Sequence, residues 1–118
     1  MNIIYVEDDP GNIQLVQRLT RSTGDLLLTF PDAESALASD AIWNADLILM
    51  DIRLPGKING LDMTGMLRQH GLNVPVIMIT AYDLPDYVER YRDVGADLFL
   101  IKPVSVPELV DVLNEYRV

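Results

Sequence analysis

The 118-residue chain reads as one α/β domain built on a five-stranded parallel sheet with helices on both faces. Three observations carry that reading. Five short, nearly continuous apolar runs recur along the chain, and each is followed by a stretch with helix signals. The composition, 49% hydrophobic and 23% charged, suits a chain that can fill a core. No composition shift, repeat or low-complexity tract divides the sequence, so residues 1–118 are expected to form a single domain with no output domain.

The strands come first. Ile3-Ile4-Tyr5-Val6, Leu26-Leu27-Leu28, Leu47-Ile48-Leu49-Met50, Val74 to Ile79 (interrupted by Pro75) and Leu98-Phe99-Leu100-Ile101 are each strand-length. Their lack of alternation predicts strands buried on both faces. Between them, Asp9-Pro10 supplies an N-cap and a first-turn proline ahead of the stripe Leu15, Val16, Leu19. Asp32 is placed to cap a short second helix with Ala33, Ala36 and Leu37 inward, and Trp43 then reads as partly buried filler before the third strand. A third helix opens near Gly60 and stops at Gly71, with His70 at its end. A fourth contains Tyr87, Val88, Tyr91 and Val94 and ends at Gly95. In the fifth, Ser105 and Glu108 form a capping box before Leu109, Val112, Leu113 and Tyr116. Right-handed crossovers place these helices on both sides of the sheet.

Composition also excludes. Nine Lys and Arg against eighteen Asp and Glu give a net charge of −9, which argues against nucleic-acid binding and against docking on anionic lipid. No apolar stretch is long enough to span a membrane, and no secretory signal is visible at the start, so a cytoplasmic location is expected. With no Cys and one His, a disulfide framework, a thiolate nucleophile and a Ser-His-Asp triad are out of reach. The chemistry has to come from carboxylates.

The polar residues after the apolar runs say where. Glu7, Asp8 and Asp9 follow the first, Asp51 the third, Thr80 the fourth and Lys102 the fifth. In an open parallel sheet, ligands bind outside the carboxyl ends of the strands. Three acidic side chains, a hydroxyl and an ammonium group thus converge on one edge. Glu7, Asp8 and Asp51 are like charges that a cation must offset, and hard oxygen ligands suit Mg²⁺. A carboxylate beside such a cation can accept a phosphoryl group and form an aspartyl phosphate. Lys102 and Thr80 are the candidates to stabilise its oxygens.

Four blocks, Val6-Glu7-Asp8-Asp9, Leu49-Met50-Asp51-Ile52-Arg53-Leu54-Pro55, Ile79-Thr80-Ala81 and Ile101-Lys102-Pro103, resemble the signature blocks of two-component response-regulator receiver domains. The resemblance covers essentially the whole chain. It implies the flavodoxin-like (βα)5 three-layer sandwich with strand order 2-1-3-4-5, a topology that receivers themselves exemplify. It further implies that Asp51 is phosphorylated from a histidine kinase or histidine phosphotransfer protein. Asp8, Asp51 and the backbone carbonyl of Arg53 would hold Mg²⁺, with Glu7 reaching it largely through water. Thr80 would hydrogen-bond the phosphoryl group and Lys102 would pair with it. By the same resemblance Thr80 and Phe99 form the switch. The surface that changes covers the fourth helix, fifth strand and fifth helix, within 83–94, 98–101 and 105–116, and would meet a downstream protein or a second copy on phosphorylation. Tyr87, Tyr91 and Tyr116 are candidates for a contact patch there. Gly60 lies nine residues after Asp51, where many receivers have the equivalent glycine eight after, so the loop Pro55-Gly56-Lys57-Ile58-Asn59 looks one residue longer. Arg53 and Tyr82 hold the variable places that tune phosphoryl lifetime across the family.

Taken singly, each feature has a plainer reading. Phe99 can be simply core, Glu7-Asp8-Asp9 an acidic helix cap, Asp51 a strand-end turn residue, Thr80 structural and Lys102-Pro103 a turn signal. All would have to coincide at four strand ends. Two further classes compete: a phosphate-independent pseudo-receiver that only binds partners, and a Mg²⁺-dependent aspartyl-phosphate phosphatase. The phosphatases place a second Asp two residues after the nucleophile, and here that residue is Arg53. A nucleotide or flavin carrier lacks its glycine-rich loop.

Overall fold

Helices begin in this chain where a short polar side chain can satisfy their first amides. A computed structural model describes residues 1–81 and 93–117. In order these form β1 (Asn2–Val6), α1 (Pro10–Thr23), β2 (Leu26–Phe30), α2 (Ala33–Leu37), a 3-10 turn (Asp40–Asn44), β3 (Leu47–Asp51), α3 (Gly60–Gln69), β4 (Val76–Thr80), β5 (Leu98–Ile101) and α4 (Val106–Tyr116). The helix expected around Tyr87, Val88 and Tyr91 lies outside the described residues, as does Tyr82. The C-terminal helix α4 is therefore the fifth helix of the sequence reading.

The predicted caps are made. Asp9 accepts from the Asn12 amide, Asp32 from Ser35 and Ser105 from Glu108, the last being the forward half of the expected capping box. At the far end of α3, His70 is the C-cap and Gly71 takes a φ of +88°, which lets the Leu72 amide turn back to the Leu67 carbonyl at 3.0 Å.

The five strands pair in parallel in the order β2-β1-β3-β4-β5. Strand parity then sorts the side chains into two cores. Ile3, Tyr5, Leu47, Leu49, Ile77 and Ile79 meet α1 and α4 through Val16, Leu19, Leu109 and Leu113. Ile4, Val6, Ile48, Met50, Val76 and Met78 meet α2 and α3 through Ala33, Ala36, Leu61 and Leu67. β4 starts after Pro75, whose ring cannot donate an amide but whose carbonyl accepts from Ile48 at 3.0 Å.

Burial on both faces holds for β1, β3 and β4 but not for the edges. Leu26 is 71% exposed and Leu28 46%. Among the described residues β2 has a neighbour on one side only, and the five residues of α2 are too few to roof it. Trp43, expected as filler, instead stands 48% exposed on the 3-10 turn, while Ile42 beside it fills the core.

Candidate functional site

The carboxyl ends of β1, β3, β4 and β5 deliver the predicted residues to one open cleft of about 480 Å³, bounded by Glu7, Asp8, Asp51, Arg53, Thr80 and Lys102 among others. The same alternation that sorts the cores aims these groups. Tyr5 and Glu7 share a face, Asp51 continues the face of Leu49, and Lys102 that of Leu100. Thr80 and Phe99 fall on the opposite parity. Phe99 packs against the core beneath α2 and α3, and its strand neighbour in register is Met78.

Asp51 is the last residue of β3 and is 6% exposed. Its Oδ1 accepts from the Arg53 amide at 3.3 Å and its Oδ2 from the Lys102 ammonium at 3.1 Å. Glu7 is buried more deeply, at 1% exposure. Lys102 donates to its Oε2 at 2.7 Å and the Tyr5 hydroxyl donates to the same oxygen at 3.0 Å. The amides of Asp8 and Asp9 both donate to Oε1 at 3.2 Å. Asp8, by contrast, is exposed. Thr80 is wholly buried, and its carbonyl accepts from the Lys102 amide at 2.7 Å, which pins the start of the last loop to β4. The peptide between Lys102 and Pro103 is cis.

Electrostatics follow from this crowding. Burial, reinforced by the charge of Glu7, pushes the Asp51 carboxyl up to about 6, although Lys102 pulls the other way. Burial works against the ammonium charge of Lys102, yet its bonds and attraction to Glu7 and Asp51 prevail and hold it above the ordinary lysine range. The Tyr5 phenol is raised far above the usual value, by burial first and by Glu7 second, so it stays a neutral donor.

One carboxylate oxygen from each of Glu7, Asp8 and Asp51 lies within 4.8 Å of the others. All are hard oxygen donors, and the ammonium of Lys102 pairs with two of them, Glu7 and Asp51. That donor set fits Mg²⁺. The remaining predicted ligand, the Arg53 backbone, is held beside Asp51 by its own amide bond.

Two contacts carry no signature in the motifs. Tyr5 is one, although a phenol in an aliphatic run, two residues before Glu7 and thus on its face, is a readable signal. The other is Glu34 on α2. Its carboxylate accepts from the Ile58 amide at 3.2 Å and occupies the space a side chain at Gly56 (φ +91°) would need. The long loop after Asp51 is thereby tied to α2. Gly60 closes that loop, its amide donating to the Ile52 carbonyl at 2.9 Å.

The description "response regulator receiver domain" belongs to the family model that matches residues 3–114. The chain belongs to this family. As a receiver it is 32% identical over 117 residues to the polar-differentiation response regulator DivK of Brucella ovis, covering 98% of this chain and 94% of that protein. The BeF3-activated N-terminal receiver domain of Klebsiella pneumoniae RstA superposes with a TM-score of 0.89 at 26% identity, covering 98% of this chain and 97% of that one. A CheY-like receiver domain protein from Methanospirillum hungatei gives 0.86 at 25% identity, covering 97% and 90%. The receiver fold and the strand order expected from the motifs are those observed. Among the described residues, no helix is long and apolar enough to cross a membrane.

Proposed function

We propose that this receiver accepts a phosphoryl group on Asp51 from a histidine kinase or histidine phosphotransfer protein, in a Mg²⁺-dependent step, and signals through altered protein contacts. The observation that carries the reading is the placement of Asp51: nearly buried, at a strand end, with one oxygen against Lys102 and the other against the Arg53 amide. An Asp51 oxygen attacks phosphorus, the new O–P bond forms and the donor's P–N bond breaks, its electron pair leaving with the histidine nitrogen. Glu7, Asp8, Asp51 and the Arg53 carbonyl are the groups to hold Mg²⁺, which when bound offsets the negative charge of the carboxylates and the phosphoryl oxygens. Lys102 follows the transferred group as its counter-ion, and the Thr80 hydroxyl donates to it. Because the chemistry is positioning and charge, the domain is a switch, not a turnover enzyme.

Thr80 and Phe99 lie on the same face of adjacent strands, and this favours the switch pairing implied by the family. Ile101 and Val106, 40% and 44% exposed, offer apolar area on the β5–α4 face for a downstream protein or a second phosphorylated copy. Tyr116 on α4 is half-buried, while Tyr87 and Tyr91 fall outside the described residues. The proposed setting is the cytoplasm.

Incubation with a small phosphodonor and Mg²⁺, followed by intact-mass measurement, tests the reading. The wild type gains one phosphoryl group, EDTA abolishes the gain, and Lys102→Ala slows it. Labelling that is indifferent to EDTA and to Lys102 overturns it.

A further inference from the structure

Tyr5 sits in the middle of β1 at 2% exposure, where its neighbours in sequence, Ile3, Ile4 and Val6, are aliphatic. Its ring fills the core between the sheet, α1 and α4, a task that leucine or phenylalanine could perform. The hydroxyl does something else: it donates to Glu7 Oε2 at 3.0 Å, the oxygen that also receives Lys102 at 2.7 Å. The crevice beside Tyr5 has only about 20 Å³, room for about one water, so the phenol does not face a ligand site. With the Asp8 and Asp9 amides on Oε1, four donors among the described residues serve Glu7. Both of its oxygens are engaged by the protein itself.

We infer that Tyr5 is a positioning residue of the phosphoacceptor site. Its hydroxyl fixes Glu7 and takes up part of its charge, and so sets how much of that charge is left for Lys102 and for Mg²⁺. The inference rests on the function proposed above. Tyr5, Glu7, Lys102 and Asp51 form one chain of contacts, 3.0, 2.7 and 3.1 Å in turn. Removing the phenol hydroxyl leaves Glu7 with one donor fewer in a buried place, where an under-satisfied carboxylate draws more strongly on any cation in reach. Lys102 is then held more firmly at Glu7 and follows the phosphoryl group less readily, while Mg²⁺ meets a more negative cluster. The two effects have opposite signs. A role limited to packing would weaken metal binding and phosphorylation together.

Calorimetric titration of Mg²⁺ into wild type, Tyr5→Phe, Glu7→Gln and the double variant reads the first effect without phosphoryl chemistry. Tyr5→Phe is expected to lower the Mg²⁺ Kd by about threefold or more. In the Glu7→Gln background the same change should have no effect, because Tyr5 acts through Glu7. At saturating Mg²⁺, the rate of labelling by a small phosphodonor should fall by about threefold or more in Tyr5→Phe. An unchanged or raised Kd in Tyr5→Phe overturns the inference, as does an equal effect of the change with and without Glu7. Circular dichroism checks the fold, and Tyr5→Leu replaces Tyr5→Phe in the same cycle should the latter fail to fold. A wild type that binds Mg²⁺ but is never labelled defeats the proposed function and leaves the calorimetric comparison to decide the role of Tyr5.

Discussion

Replacing Asp51 by Asn should stabilise the metal-free protein, by an amount that depends on pH. Burial and the neighbouring Glu7 raise the Asp51 carboxyl from 3.8 to about 6 in the folded state. The fold therefore favours the protonated form. The stability that Asp51 contributes is fully present below 3.8 and is lost as pH rises through 6. A shift of this size corresponds to about 3 kcal/mol between those limits, at about 1.4 kcal/mol per pH unit. By the linkage relation, roughly half of that loss falls between pH 5 and pH 8. Asn carries no charge to desolvate, and Lys102 retains Glu7 as its partner. Urea unfolding in EDTA should thus show Asp51→Asn more stable than wild type at pH 8, by up to about 3 kcal/mol. The advantage should narrow to roughly half of that at pH 5. Mg²⁺ should restore the wild type and help the variant less, since a ligand bound only by the folded state stabilises it by mass action. An advantage that is constant across pH, or a variant less stable than wild type at pH 8, would refute the argument that Asp51 is held in a desolvated, charge-crowded place.

Other expectations follow from single contacts. Gly60→Ala puts a methyl group against the carbonyl carbon of Asp51 at 2.9 Å and Ile52 Cα at 3.0 Å. Neither backbone atom can give way cheaply, so urea unfolding should show a loss of about 1–3 kcal/mol, with slower labelling of Asp51. Arg117→Ala removes the two-pronged contact, 2.7 and 2.9 Å, between the end of the chain and Asp25. It should lower the urea midpoint at pH 7 and leave the Mg²⁺ Kd unchanged, because Asp25 is on the opposite end of the sheet from the cleft. Trp43, the single tryptophan, should emit as a solvent-exposed indole and be quenched readily by acrylamide. A blue-shifted, protected emission would mean that the 3-10 turn closes over it.

Much of this was legible in the chain because the rules involved are local. Asp9, Asp32 and Ser105 each precede a helix at the offset where a side chain reaches an orphan amide, and each makes that bond. The convergence of Glu7, Asp51, Thr80 and Lys102 followed from one topological fact: parallel strands end on one edge. What local sequence does not carry depends on distance along the chain or on neighbours in space. Leu26 and Leu28 look like core by composition, and only the place of β2 at the sheet edge exposes them. Glu34 meets Gly56 and Ile58 because a loop folds back over α2, which no periodicity announces. Glu7 was legible as an acidic group at a strand end. Its near-complete burial, and the use of both its oxygens by Tyr5, Lys102 and two amides, was not.

In this acidic chain the phosphoryl group is proposed to go to one carboxylate among several. Localisation of the group by peptide fragmentation after treatment with Mg²⁺ and a small phosphodonor, in wild type and Asp51→Asn, tests it most directly. A single modified residue, Asp51, and no labelling of the variant are expected. Phosphoryl found on Asp8 or Asp9, or equal labelling of Asp51→Asn, would contradict it.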